Sequence, residues 1–241
     1  MRLALSSILL AALLAGCGSG EPPRRDSAPR EEAAQEAAPV TGPERRILAF
    51  GNSLFAGYNL DADESYPARL ENALRARGID ARVANAGVSG DTTAAGLQRL
   101  AFTLDAQERA PDLVILELGG NDLLRRLQPQ ETRANLARML EILRDRDIPV
   151  LLMGMRAPPN YGPEYQAAFD ALYPALAEEY GAELVPFFLE PVYDRPELIQ
   201  DDRIHPTAEG IEALVAATAD QVVAALPEPE PEPERELQPA R

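Results

Sequence analysis

The run Leu113-Val114-Ile115-Leu116-Glu117-Leu118, followed by Gly119-Gly120-Asn121-Asp122, decides how this chain folds. Leu113 to Leu116 is apolar at every position, so both faces of the predicted strand are covered, as at the centre of a parallel sheet. Four further strands are predicted on either side, at Ile47 to Phe50, Ala81 to Ala84, Val150 to Met153 and Glu183 to Phe187. Between them Tyr66, Leu70, Ala73 and Leu74 fall on one helical face, as do Leu136, Met139, Leu140 and Leu143. Ile211, Leu214, Val215, Thr218 and Val222 form a third stripe after the last strand. These stripes read as core packing.

Strand alternating with helix over about 180 residues predicts a single three-layer α/β/α domain with right-handed crossovers. Five strands suit a flavodoxin-like parallel sheet in the order 2-1-3-4-5 better than an eight-stranded barrel. Ligands of such sheets bind beyond the carboxyl ends of the strands, near the switch point between strands 1 and 3.

The 241 residues carry 39 Asp and Glu against 23 basic residues, a formal charge of −16, and every basic residue is Arg. Without Lys, Schiff-base chemistry and a Walker-type phosphate site are excluded. One Cys forms no internal disulfide, and one Cys with one His builds no clustered Zn site. A carboxylate-only Mg²⁺ or Ca²⁺ site is the remaining metal option, but Asp91, Asp122 and Asp201 lack regular ligand spacing, so neither metal nor cofactor is expected. The acidic balance repels phosphate backbones and no Arg-rich run with interleaved aromatics occurs. Nucleic acid is therefore not an expected partner.

Residues 1–16 have one positive charge at Arg2, an apolar run and then small residues, the layout of a secretory signal. Leu14-Ala15-Gly16-Cys17 resembles the bacterial lipoprotein cleavage box, which implies an acylated Cys17 as the first mature residue and a membrane partner through that anchor. Gly18 after it favours, by the same resemblance, the outer membrane, hence a lipid-anchored protein on the periplasmic face. From Cys17 to residue 45 the chain is poor in large apolar side chains and reads as a disordered tether with a reach of roughly 30 Å. The domain is expected over 46–226. Residues 227–241, opening with PEPEPEPEREL, read as a self-repelling Pro/Glu tail.

Four segments follow the predicted strands and supply acyl-transfer chemistry: Gly51-Asn52-Ser53-Leu54, Val88-Ser89-Gly90-Asp91-Thr92, Gly119-Gly120-Asn121-Asp122 and Asp201-Asp202-Arg203-Ile204-His205-Pro206. Ser53 is the candidate nucleophile, with Ser89 competing for the role because it too sits in a Gly-containing connection. His205 is the only imidazole, so any Ser–His mechanism must use it. Asp202, three residues earlier, holds the tautomer that leaves the second ring nitrogen free. The N–H groups of Ser53 and Gly90 and the side-chain amide of Asn121 are candidate oxyanion donors.

In this order the four blocks resemble the SGNH/GDSL hydrolase superfamily, whose namesakes fall on Ser53, Gly90, Asn121 and His205, with Asp202 as the His partner. Ala56-Gly57-Tyr58, Glu64-Ser65-Tyr66-Pro67, Pro158-Pro159-Asn160-Tyr161-Gly162 and Val185-Pro186-Phe187-Phe188 look like the bacterial subgroup of arylesterases and multifunctional thioesterase/lysophospholipases. The resemblance implies a serine esterase that works without cofactor through an acyl-enzyme on a small lipophilic ester such as an aryl ester, a thioester or a lysophospholipid. The family's first block usually reads Gly-Asp-Ser-Leu, whereas position 52 here is Asn. Asn keeps an oxygen acceptor and loses the charge, so an altered rate or pH dependence is expected.

Leu123, Leu124 and Leu127, with Pro158, Pro159 and Tyr161, serve equally as walls of an acyl groove or as helix-packing residues. Two other functions compete. One is a membrane-tethered binding or envelope-assembly protein with little turnover, and the other is an envelope carbohydrate deacetylase built on the same residues.

Overall fold

A computed structural model describes residues 40–228. Its sheet has five parallel strands, β1 (Thr41–Gly51), β2 (Ile79–Gly87), β3 (Leu113–Glu117), β4 (Val150–Met153) and β5 (Glu183–Val185), in the order β2-β1-β3-β4-β5. Helices α1 (Ser53–Ala56) and α2 (Tyr66–Ala76) join β1 to β2, and α3 (Thr93–Asp105) joins β2 to β3. Next come α4 (Gly120–Leu124) and α5 (Pro129–Arg144) before β4, and α6 (Pro163–Asp170) and α7 (Leu172–Tyr180) before β5. The chain closes with α8 (Glu190–Tyr193) and α9 (Ala208–Ala225).

All five side chains of β3 are buried, which is why its apolar run is uninterrupted on both faces except at Glu117. The step from β1 to β2 runs opposite to the later steps, so right-handed crossovers send its helix to the other side of the sheet. Accordingly α2 packs with α9, while α3, α5 and α7 pack in succession. The stripes anticipated on α2, α5 and α9 point into this core, with Leu70, Leu74, Leu136, Leu143 and Leu214 fully covered. Local signals set the helix ends: Thr92 and Thr207 cap α3 and α9 by accepting from the backbone N–H of Ala95 and Gly210.

The sequence boundaries shift at three places. β1 begins at Thr41, so residues 41–45, assigned above to the tether, belong to the sheet, with a register shift between Thr41 and Arg45. The segment escapes a hydrophobicity reading because polar groups hold it: Arg45 is buried and donates to the Pro227 carbonyl, and the Arg46 N–H donates to Asp112 at 2.6 Å. β2 outruns its apolar centre to Gly87 as a half-exposed edge strand, and β5 stops at Val185 rather than Phe187. The signal segment, Cys17, the tether before residue 40 and the tail after Glu228 lie outside the described residues.

Candidate active site

Because every strand runs the same way, the connections leaving their carboxyl ends converge at one end of the sheet, and each brings one element of the site. The Gly51-Asn52 turn at the end of β1 gives the first. Asn52, not Ser53, caps α1, its Oδ1 accepting from the Leu54 N–H at 3.0 Å. That frees the hydroxyl of Ser53 for chemistry, although taken alone a Ser after Gly in such a connection reads as a cap. At the far end of the chain Asp202 folds its own loop by accepting from the N–H groups of Ile204 and His205, at 2.9 and 3.0 Å.

These two segments meet. Ser53 Oγ lies 2.8 Å from His205 Nε2, and His205 Nδ1 lies 2.5 Å from Asp202 Oδ2. An ionised carboxylate only accepts, so Nδ1–H donates to Asp202 and Nε2 is left to accept the Ser53 proton. The alternative acceptor for that proton, Asn52 Oδ1, is 3.4 Å away and loses on distance. Burial works against charge on Asp202. Hydrogen bonds from the His205 ring and from the two backbone N–H groups outweigh it and hold the carboxyl below its ordinary value. Tyr58 stacks on the imidazole at 4.4 Å between ring centroids, and the Gln200 amide donates to the carbonyls of Tyr58 and Pro206 on either side.

Candidate donors line the same groove as that hydroxyl, from Gly90 and Asn121. Gly90 has φ +86°, a left-handed conformation that a side chain disfavours, and its carbonyl accepts from Arg125 at 2.8 Å. The backbone N–H groups of Ser53 and Gly90 make no hydrogen bond among the described residues. Asn121 spends one amide hydrogen on the Asp91 carbonyl, at 3.0 Å, which fixes the side chain and leaves the second hydrogen free. Arg99 ties these parts together: it reaches Asp91 at 2.6 Å and the Gly51 carbonyl at 2.9 Å, with its guanidinium 3.9 Å from the Phe50 ring centroid. Asp91 is thus engaged by Arg99, and Asp122 holds the start of α3 through the N–H and hydroxyl of Thr93.

Beneath the nucleophile lies Glu117, fully buried, whose two oxygens accept from the backbone N–H and side-chain amide of Asn52 at 3.2 and 2.9 Å. This gives the Asn at position 52 a physical role. An Asp there would set two carboxyls against each other and need a shared proton, whereas Asn brings its own donor. Burial pushes Glu117 up to about 8 against the opposing pull of those hydrogen bonds. Between its ordinary 4.5 and about 8 the folded protein therefore holds a proton that the unfolded chain has released, so this group makes stability fall as pH rises through that window. The stability advantage of wild type over Glu117→Gln should shrink from pH 5 to pH 8 in urea unfolding, and a constant difference would contradict the protonation assigned here.

Beside Ser53 opens a groove of about 520 Å³, ample for a small acyl ester. Of the six wall residues anticipated, Leu123, Leu124 and Pro158 line it, and Leu127, Pro159 and Tyr161 do not. The latter group packs sideways: the Leu127 carbonyl accepts from Tyr165, and Tyr161 lies against Tyr165 and under Arg126, with Pro159 opening the same short 3₁₀ turn. The groove instead takes Met155, Phe187, Val192, Tyr193 and Ile204, from the connections after β4 and β5. Ser89 also lines it, but the imidazole meets Ser53.

Comparison with known proteins agrees with this architecture. The description of the GDSL-like lipase/acylhydrolase family matches residues 49–213. The chain is 42% identical over 178 residues to an arylesterase of Vibrio mimicus, covering 74% of this chain and 88% of that protein. It is 43% identical over 163 residues to thioesterase 1/protease 1/lysophospholipase L1 of Escherichia coli K12, covering 68% of this chain and 76% of the other. The solved structure of AlinE4, an SGNH-hydrolase family esterase, superposes with a TM-score of 0.66 at 66% identity, covering 78% of this chain and 99% of its own.

Proposed function

This chain belongs to the GDSL-like lipase/acylhydrolase family, and from that membership and the site geometry we propose that it is a carboxylic ester hydrolase acting through an acyl-enzyme on Ser53. The observation that carries the assignment is the Ser53–His205–Asp202 relay, closed at 2.8 and 2.5 Å by residues 152 and 3 positions apart. Ser53 Oγ attacks the ester carbonyl carbon while its proton passes to Nε2 of His205. The carbonyl oxygen becomes an oxyanion facing the N–H groups of Ser53 and Gly90 and the Asn121 amide. Collapse of the intermediate breaks the ester C–O bond, and the imidazolium gives its proton to the leaving alcohol. Water, deprotonated by the same imidazole, then releases the acid and restores the hydroxyl. A preorganised donor of this kind is worth about 10²- to 10³-fold in turnover.

The apolar groove and the family membership support lipophilic acyl esters as substrates, with aryl esters and lysophospholipids ahead of thioesters for a protein exported from the cytoplasm. A panel of p-nitrophenyl butyrate, a lysophospholipid, an acyl thioester and an acetylated glycan tests this. Hydrolysis of the first two, and its absence in Ser53→Ala, is the expected pattern. Equal background rates in wild type and variant would favour a binding protein, and turnover confined to the glycan would favour a deacetylase.

The cleavage box supports acylation of Cys17 and a cell-envelope location on the periplasmic face of the outer membrane. Globomycin treatment or Cys17→Ser should block lipid-linked maturation. A soluble, unacylated mature protein in untreated cells would overturn this location.

A further inference from the structure

Arginine ion pairs among the described residues are mostly surface contacts. Arg99 with Asp91 is the one such pair in which both side chains are largely covered, at 21% and 13% exposure. An exposed pair contributes little, whereas a pair withdrawn from water holds only where its geometry satisfies both partners. Arg99 meets that condition. Its Nε donates to Asp91 Oδ2 at 2.6 Å, its Nη2 donates to the Gly51 carbonyl at 2.9 Å, and the guanidinium lies over the Phe50 ring. Gly96, one turn earlier on α3, brings the helix so close to the sheet that a methyl group there would collide with Leu118, and Arg99 thereby reaches the end of β1.

These bonds close a ring around Ser89 and Gly90. The Gly51 carbonyl accepts from the Val88 N–H at 3.0 Å, the Val88 carbonyl accepts from the Asp91 N–H at 3.1 Å, and the Asp91 carboxylate returns through Arg99 to Gly51. The Asp91 carbonyl in turn accepts from the Asn121 amide at 3.0 Å. Each of the three oxyanion donors therefore adjoins a group that this one guanidinium holds. Gly90 precedes Asp91 inside the ring, Asn121 is bonded to Asp91, and Ser53 lies two residues past Gly51. The bonds that form the proton relay, from Ser53 to His205 to Asp202, do not pass through Arg99.

We propose that Arg99 is the positioning residue of the oxyanion site, fixing the donors of Gly90, Asn121 and Ser53 through its bonds to Asp91 and Gly51. This role rests on the acyl-enzyme reading given above. Charge reaches the ester oxygen only as the tetrahedral intermediate forms, so donors that have drifted cost transition-state stabilisation and little ground-state binding. The loss then falls on kcat rather than KM. A misplacement of about 1 Å caused from outside the reacting groups can cost about 10²-fold. Lys is no substitute, because a single ammonium on a flexible stem lacks the rigid fork that spans a carboxylate and a carbonyl at once.

Steady-state hydrolysis of p-nitrophenyl butyrate by the full chain tests this. Arg99→Gln should lower kcat by about 10²-fold and Arg99→Lys by about tenfold or more, each with KM within about threefold of wild type. Arg99→Lys keeps the charge pair, so it carries the test if the Gln variant does not fold. Arg75→Gln is the control: Arg75 on α2 likewise spans a carboxylate and a carbonyl, those of Asp80 and Ala81 at 2.7 and 3.3 Å, and its loss should leave kcat unchanged. The second readout is affinity for hexyl trifluoromethyl ketone. Its carbonyl carbon bonds Ser53 Oγ, the hydroxyl proton passes to His205, and its oxygen takes the oxyanion position. Across the Arg99 variants that affinity should fall in proportion to kcat/KM, which a general loss of stability would not produce. A kcat for Arg99→Lys within about threefold of wild type, a loss confined to KM, unchanged ketone affinity beside a lowered kcat, or an equal loss in Arg75→Gln would each overturn the proposal while wild type retains Ser53-dependent turnover. Wild-type turnover no higher than that of Ser53→Ala would instead remove the acyl-enzyme reading, and the role of Arg99 with it.

Discussion

Ser53→Ala should lower kcat for p-nitrophenyl butyrate by about 10⁴-fold or more while leaving KM and thermal stability nearly unchanged. The loss is large because among the described residues the Ser53 hydroxyl is the one partner of His205 Nε2, at 2.8 Å, and water cannot take its place without losing the positioning that the turn provides. Stability is spared because Asn52 caps α1 and the backbone N–H at position 53 survives the change. Ser89→Ala, although its parent side chain lines the same groove, removes no partner of the imidazole and should retain most of the turnover. Steady-state kinetics on the two variants side by side therefore decide between the two serines of the carboxyl-end loops.

Asp202→Asn should cost about 10⁴-fold in kcat with the fold intact. The reason is a tautomer. Asn Oδ1 can still accept from the N–H groups of Ile204 and His205, so the loop keeps its shape. Its amide group, however, would face Nδ1 as a donor, which forces the ring proton onto Nε2 and points N–H at Ser53 Oγ where an acceptor is needed. The hydrogen bonds that hold Asp202 below its ordinary pKa keep it ionised across the neutral range, so it remains an acceptor for Nδ1–H there. Equal kcat in Asp202→Asn and wild type would show that the imidazole is oriented by some other group, such as the stacked Tyr58.

Much of this site is legible in the sequence because its members are punctuation. Ser53, Gly90, Asn121 and His205 each follow a strand and interrupt the apolar or helical pattern around them. A parallel sheet then brings such positions to one end whatever their separation along the chain. β3 and β4 were equally plain, since their runs are apolar on both faces. The support beneath the site was not. Glu117 looks like a polar lapse in a buried strand until its oxygens are seen to hold Asn52, and Arg99 looks like a solvated helix residue until it is found between Asp91 and Gly51. Contacts of this kind span 8 to 65 positions and leave no periodic trace. The groove walls divided for a related reason: Leu123 and Leu127 share a helical spacing, but the helix of the first ends at Leu124, and the left-handed turn at Arg126 carries Leu127 away. Residues 41–45 escaped because a polar edge segment is held by hydrogen bonds rather than by burial of apolar surface.

The central claim is that one hydroxyl, made nucleophilic by the chain's only imidazole, carries the acyl group. Incubation with a p-nitrophenyl alkylphosphonate, followed by peptide mass spectrometry, reads this directly. One phosphonyl group per chain on Ser53, acquired in step with the loss of esterase activity and absent from His205→Ala, is the predicted result. Inactivation with the adduct on Ser89, or full activity in protein whose Ser53 is blocked, would contradict it.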